Sequence, residues 1–460
     1  MLPTLTSLRT LLFGLFLIML GSGLQGTLLS LRASFEGFSP FLTGFIMSGY
    51  YIGYLVGSLW VIRITHEVGH IRVFAAMAAI ASGTILLHMV FVHPVAWLVF
   101  RLVTGFCFVG IFITVESWVN HFTRNEMRGK ILSLYMVIQF LGSGLGQMLL
   151  NVDDPHGFML FILVSVVISM ASVPILLSTA TVAPQITNPP KPKLASLFSL
   201  ARLGLVGSLA VGVSSGAFWG VGAVYASKLG LSVSNIALFM AVVILGGMLF
   251  QWPLGWLADR MTRQRVIAAV AFSAAFVSLA LLVFENKGMN ILLFLAMLFG
   301  GFSLPLYSIL SAYTNDHVPP EEMVQASSGL MLVFGLGAIL GPIAGGIMLD
   351  VLGSPGFFTM QTMVFAVLGS YAFRLEVVAP EPEVEESVPT VPVPSRPSPL
   401  SAVSVAETMQ EAIDSESSSD NGQEGQETEM GAGSGAGAFE SDGDNGSADS
   451  SSTGSSTKNV

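Results

Sequence analysis

Twelve separate runs of apolar residues, each about as long as the roughly 20 residues a helix needs to cross a bilayer, constrain this chain more than any other feature. They lie near residues 10–31, 39–62, 73–92, 95–117, 130–151, 157–178, 203–224, 235–257, 266–284, 289–311, 327–349 and 356–373. Hydrocarbon offers no partner for unpaired backbone N–H and C=O groups, so each run is expected to be a helix. The composition agrees. Only 10% of the 460 residues are charged and 52% are hydrophobic, whereas a soluble domain carries about 25% charged residues. The first run is too long for a signal-peptide core and lacks a small-residue cleavage site, so it counts as a span.

An even number of crossings puts both termini on one side. With the N-terminus inside, the inner loops and ends hold thirteen Lys and Arg residues and the outer ones only Arg32, Lys228 and Lys287. That is a strong positive-inside bias and predicts cytoplasmic termini. The overall charge of −10 describes the tail. Residues 376–460 carry seventeen acids against Arg396 and Lys458. Four segments follow: an N-terminal six-helix bundle (1–178), a proline-containing cytoplasmic linker (179–202), a C-terminal six-helix bundle (203–375) and a disordered acidic Pro/Ser/Gly-rich tail (376–460). The lone cysteine, Cys107, excludes an intrachain disulfide.

The two halves echo one another. "GWLADRMTRQRV" follows span 8, and "GSLWVIRITHEVGHIRV" follows span 2 roughly 200 residues earlier; Gly-rich stretches in spans 5 and 11, and Asn…Glu-Met pairs in the loops before them, repeat at the same distance. Parallel repeats of this kind are typical of transporters. Here the chain resembles the major facilitator superfamily. Gly255-Trp256-Leu257-Ala258-Asp259-Arg260, followed by Arg263 and Arg265, is similar to that family's signature. The first-half copy departs from it, with Val61 and Ile62 where Asp and Arg are expected. Arg101-x-x-x-Gly105 in span 4 is similar to an arginine-glycine motif of the family, and Gly341-Pro342 with Gly345 to another. "RLVTGFCFVGIFITVESWVN" resembles a bacterial branch of mostly unassigned substrate.

The resemblance implies an all-α membrane protein in which twelve helices form two pseudo-twofold-related bundles around a cavity that opens alternately to either side. It implies a secondary transporter of a small solute in a bacterial inner membrane, with protons as a candidate coupling ion. It implies no enzymatic activity, no cofactor and no nucleic-acid partner; membrane lipid and the solute are the expected partners. A transporter-shaped sensor or scaffold, recruiting a partner through the acidic tail, is the alternative. In the family the signature acid sits by a helix N-terminus of the other half, where the helix dipole favours a carboxylate. By that match Gly255, Asp259, Arg260 and Arg263 form a gate, with Asp259 steadying the inward-closed state against span 5.

One motif invites a different reading. His66-Glu67-Val68-Gly69-His70 has the H-E-x-x-H spacing of a zinc site. Zinc chemistry also needs a third protein ligand, and Val73 and Ala76 occupy the expected positions of the extended motif. An ordinary polar loop between spans 2 and 3 is the expectation, with no metal bound. No phosphate-binding Gly-x-x-x-x-Gly-Lys-Ser/Thr is present either.

The candidate translocation residues follow from the cost of polarity in hydrocarbon. Arg101 lies roughly 9 Å into span 4 at 1.5 Å per residue, and Glu116 is on the same broad face roughly 22 Å further along, too far to pair with it. Gln25, Tyr54, Gln139, Trp219 and Tyr307 are polar or amphipathic positions in other spans. Each could equally serve a helix–helix hydrogen bond. Small residues at four-residue spacing, including Gly53, Gly57, Gly216 and Gly341, allow close helix approach. Pro305 and Pro342 interrupt the backbone ladder and are candidate hinges.

Overall fold

The computed structural model describes residues 2–122, 128–177, 194–285 and 287–378. Expectations for most of the linker and for the acidic tail lie outside these residues. Every regular element among the described residues is helical: α1 Leu2–Phe35, α2 Pro40–Val68, α3 His70–Val90, α4 Pro94–Phe122, α5 Arg128–Met148, α6 Met159–Leu176, α7 Leu194–Leu200, α8 Arg202–Lys228, α9 Val233–Ala258, α10 Arg263–Phe284, α11 Met289–Ser303, α12 Leu306–Asp316, α13 Met323–Leu352 and α14 Pro355–Val378. Twelve helical segments are long and apolar enough to cross a membrane. They coincide with the twelve apolar runs. Several extend a turn or more beyond, because a helix continues past the hydrocarbon into polar residues.

The expected tenth span is two helices rather than one. The chain breaks at Leu304-Pro305 between α11 and α12 and runs on to Asp316. Proline has no N–H to donate, so the ladder is cut there. The other candidate hinge, Pro342, lies inside the uninterrupted α13. A Cβ added at Gly220 would sit 2.7 Å from its ring.

Packing reproduces the sequence repeat. In the first half α1 packs on α5, α2 on α4 and α3 on α6; in the second, α8 packs on α13, α9 on α11 and α10 on α14. The local details match as well. Gly37 and Gly230 both take positive φ, 78° and 73°, in the turns before α2 and α9. Two residues on, Ser39 and Ser232 cap those helices by accepting from the N–H of Leu42 and Asn235. Fourteen residues further, Gly53 and Gly246 press against a backbone carbonyl of the partner helix: a Cβ at either would lie 1.9 Å from Leu102 O or Met297 O. Gly105 and Gly300 return the contact on Tyr50 O and Val243 O, again at 1.9 Å. Without a hydrophobic driving force between helices in lipid, such close backbone approach is what holds them together.

The two bundles meet along α2–α13, α5–α9 and α1–α8. The first described residues of the linker region, α7, pack Leu197 into the C-terminal half.

Candidate functional site

The α2–α13 seam is closed at the end that carries the start of α2. There the Phe41 N–H donates to the Asp350 carboxylate at 2.8 Å, and Ser48 Oγ donates to Ile339 O at 2.6 Å. Backbones touch. A Cβ at Gly44 would lie 2.0 Å from Pro342 O, and one at Gly346 would lie 2.4 Å from Pro40 O. Beside it, Ser30 Oγ of α1 donates to Gly220 O of α8 at 2.8 Å. Gln25 and Trp219, expected to line the pathway, are both buried in α1 and α8. Tyr307, just past the Pro305 break, is buried against Phe334 of α13, ring centroids 4.9 Å apart.

At the opposite end the bundles part. A cleft of about 370 Å³ separates α5 from α9, walled by Met136, Val137 and Phe140 on one side and Met248, Trp252 and Trp256 on the other. Asp259 stands at its rim, and Gln251 donates to Ser308 Oγ at 3.0 Å in its wall. The gate expected from the family signature involves the start of α5, and residues 123–127 just before it lie outside the described residues. Among the described residues Asp259 faces Arg263 at 3.5 Å, and the fully buried Arg263 guanidinium reaches Asp316 at 2.6 Å. This network ties α9, α10 and α12 together. Arg260 lies over the ring of Trp256, 4.1 Å from its centroid, rather than against Asp259. Sequence reasoning missed Asp316, which ends α12 outside any motif.

Arg101 and Glu116 are kept apart, as their spacing along α4 requires. The Arg101 guanidinium lies 4.8 Å from the centroid of the Tyr50 ring. A Cβ at Gly49 would come within 3.4 Å of the Arg101 Cβ, so the helices approach closely at this point. Glu116 is buried, 4% exposed, and accepts a hydrogen bond from the Tyr135 hydroxyl of α5 at 2.7 Å. The Gln139 side chain also bonds to Tyr135, and Tyr54 lies close enough to act on it electrostatically. Three residues singled out separately, Tyr54, Glu116 and Gln139, thus converge on one that was not. The available signal was that Tyr135 precedes Gln139 by four residues and so shares its helix face. Between the two charges runs an aromatic ladder: Tyr50 with Tyr54 and Phe108, and Tyr54 with Phe112, all at about 6 Å, as expected of ring pairs.

The remaining positions are structural in this conformation. A Cβ at Gly57 would lie 2.4 Å from Val109, one at Gly216 2.4 Å from Ala338 O, and one at Gly341 2.1 Å from Val213 O. In the H-E-x-x-H stretch, Gly69, at φ 95°, ends α2 and starts α3. His66 and His70 are on different helices, so one helical face does not present both. His70 is buried, its Nε2 3.0 Å from Ser117 Oγ, while His66 and Glu67 are exposed.

On the far side of the membrane from the cleft, Glu285 follows α10. It receives Ser354 Oγ at 3.3 Å and the Tyr225 hydroxyl at 3.5 Å. Burial holds its pKa above the ordinary carboxylate value, and the two hydrogen bonds pull the other way.

Comparison with known proteins gives a consistent picture. The profile of the Major Facilitator Superfamily matches residues 11–284 and 204–410. The uncharacterised MFS-type transporter YcaD of Escherichia fergusonii is 29% identical over 335 residues, covering 72% of this chain and 86% of that protein. YcaD of Escherichia coli K12 is 30% identical over 340 residues, with the same coverage. Among solved structures, the nucleoside transporter NupG superposes with a TM-score of 0.67 at 15% identity, over 82% of this chain and 99% of that one. A bacterial homologue of the human lysosomal transporter Spinster superposes with a TM-score of 0.63 at 14% identity, over 89% and 93%. At these identities the structural likeness speaks for the fold. The chain is a multi-pass membrane protein with the fold of a membrane transporter.

Proposed function

This chain belongs to the Major Facilitator Superfamily, and we propose that it moves a small solute across a bacterial inner membrane by alternating access, coupled to protons. The basic-residue bias supports a cytoplasmic side for both termini. The closed α2–α13 seam then faces outward and the α5–α9 cleft faces the cytoplasm, so the conformation is inward-open. The observation that carries the reading is this asymmetry: one end is sealed by backbone contact and a charged hydrogen bond, while the other holds a cleft of about 370 Å³. Alternation reverses it by bringing α5 and α9 together, which would carry Asp259 to the start of α5 and form the gate that the family signature implies.

Glu116 is the proposed proton carrier. A carboxylate buried in a spanning helix is costly and is retained where it works. Its partner Tyr135 can donate to the charged carboxylate and can accept from the protonated one, so both states are served. Arg101, at the other end of the aromatic ladder, is the proposed solute-contacting or coupling cation.

The test is uptake into proteoliposomes under an imposed pH gradient, with solutes chosen by thermal stabilisation of the purified protein. Wild type is expected to accumulate solute only with the gradient. Glu116→Gln is expected to lose accumulation but keep solute exchange. Arg101→Ala is expected to lose both while unfolding normally on heating. Wild-type flux in Arg101→Ala, or gradient-driven accumulation in Glu116→Gln, would overturn these assignments.

A further inference from the structure

We propose that the cleft between α5 and α9 is a binding site for an uncharged amphiphile drawn from the bilayer, and its side entrance to the transport pathway. As an entrance it rests on the transport reading above; as a site it rests on geometry alone.

The walls of the cleft are continuous with the lipid-facing surface. On α5, Leu134, Val137, Leu141 and Leu145 are exposed at helical spacing and form one stripe. On α9, Leu245, Leu249, Trp252 and Trp256 form another. In a spanning bundle such exposed apolar stripes meet lipid. Val137, Trp252 and Trp256 belong both to these stripes and to the cleft, so an apolar surface runs from the lipid-facing side into the gap. Trp252 is 76% exposed. An interfacial anchoring role accounts for Trp256 beneath Arg260, but not for an apolar lining that continues inward through Met136, Phe140 and Met248.

The lining also selects the chemistry. Methionine side chains adapt to varied apolar shapes, and a volume of about 370 Å³ lies within, toward the lower end of, the roughly 300–1,000 Å³ typical of ligand cavities. Polar contact is confined to Gln251, bonded to Ser308, and to Ser133 and Asp259. Asp259 is the single ionisable group among the described residues that line the cleft, and Arg263 already answers its charge. Among the described lining residues an anionic head would find no cation, and a cationic head only a carboxylate already facing Arg263. A hydrogen-bonding, uncharged head on an apolar body fits.

The test uses the full chain in lipid nanodiscs and a 12-carbon alcohol carrying a diazirine, with adducts located by mass spectrometry. Expected are adducts at Met136, Phe140 and Met248 that excess dodecanol suppresses, and that Val137→Trp reduces at least several-fold by filling the mouth. Adducts confined to Leu141, Leu145 and Leu249, or cleft adducts that dodecanol does not suppress, would overturn the proposal; the second result would mean that bulk lipid fills the gap. Because wild type alone decides the point, a misfolding variant does not blur it. Competed adducts in a protein that carries no solute would sink the transport reading and leave the site standing. Solute flux without cleft adducts would do the reverse.

Discussion

Removing the Asp350 carboxylate tests the claim that the outer end is held shut by a specific bond. In the closed seam Asp350 accepts the N–H of Phe41, the second residue of α2, across the bundle interface. That N–H is one of the four donors a helix leaves unsatisfied at its start, and the carboxylate also meets the positive end of the helix dipole. A hydrogen bond to a charged group contributes about 1.5–3 kcal/mol when well shielded. Asp350 is exposed, so solvent screening reduces this, and about 1 kcal/mol is the appropriate scale. Under the proposed alternating access the bond exists only while α2 and α13 are together, so its loss shifts the inward–outward equilibrium as well as folding stability. One kcal/mol is roughly a fivefold change in that equilibrium. The assay places a reporter cysteine at Met47, buried in the seam, in a Cys107→Ser background. Labelling by a membrane-impermeant maleimide from outside then follows the outward-open population. Asp350→Ala is expected to speed labelling about fivefold, and Asp350→Asn, which keeps an acceptor without the charge, by less. Unchanged labelling in Asp350→Ala would refute the reasoning, because it would leave the seam's closure to backbone packing alone.

Other perturbations probe the packing and the charged network. Gly216→Leu puts its Cβ 2.4 Å from Ala338 O in the α8–α13 interface, so melting temperature and folded yield are expected to fall sharply; a well-expressed variant with unchanged melting would deny a tight interface there. Arg263→Ala removes the ion pairs to Asp316 and Asp259, both partly solvated, and is expected to cost about 1–2 kcal/mol, read as a lower denaturation midpoint in detergent; wild-type stability would mean the clamp is ornamental. Glu285 has its pKa raised by burial, so the folded state holds this proton more tightly than the unfolded state does. Its contribution to stability is complete below the ordinary value of 4.5 and is lost as pH rises through the raised one. Glu285→Gln is therefore expected to flatten the decline in melting temperature above pH 4.5, and identical pH profiles would contradict the assignment.

The bundles were legible in the sequence because their cause is one-dimensional. A span needs a run of apolar residues, and a run is visible without knowing what it touches. The duplication was legible in the stretches that follow spans 2 and 8 and in the Gly-rich spans 5 and 11; the structure adds pairs that were not read, Gly37 and Gly230, Ser39 and Ser232, and Gly53 and Gly246, at one common offset. The site was only half legible. Burial cost alone marks Glu116 and Arg101, since any charge in a spanning helix stands out. What each charge faces depends on how helices distant in sequence are packed, and nothing local announces it. Tyr135, Asp316 and Asp350 are ordinary residues on their own helices, and they matter only through Glu116, Arg263 and the start of α2. The gate shows the limit most clearly. The signature points to Asp259 and Arg260, but it does not say which neighbours they face. In the state seen, the cleft stands between α9 and α5, Asp259 rests on Arg263, and Arg260 covers Trp256. Under the proposed alternating access, closure of the cleft brings Asp259 and Arg260 toward α5 and alters those contacts. The buried Arg263–Asp316 pair, which need not move, would then be the fixed post against which Asp259 swings.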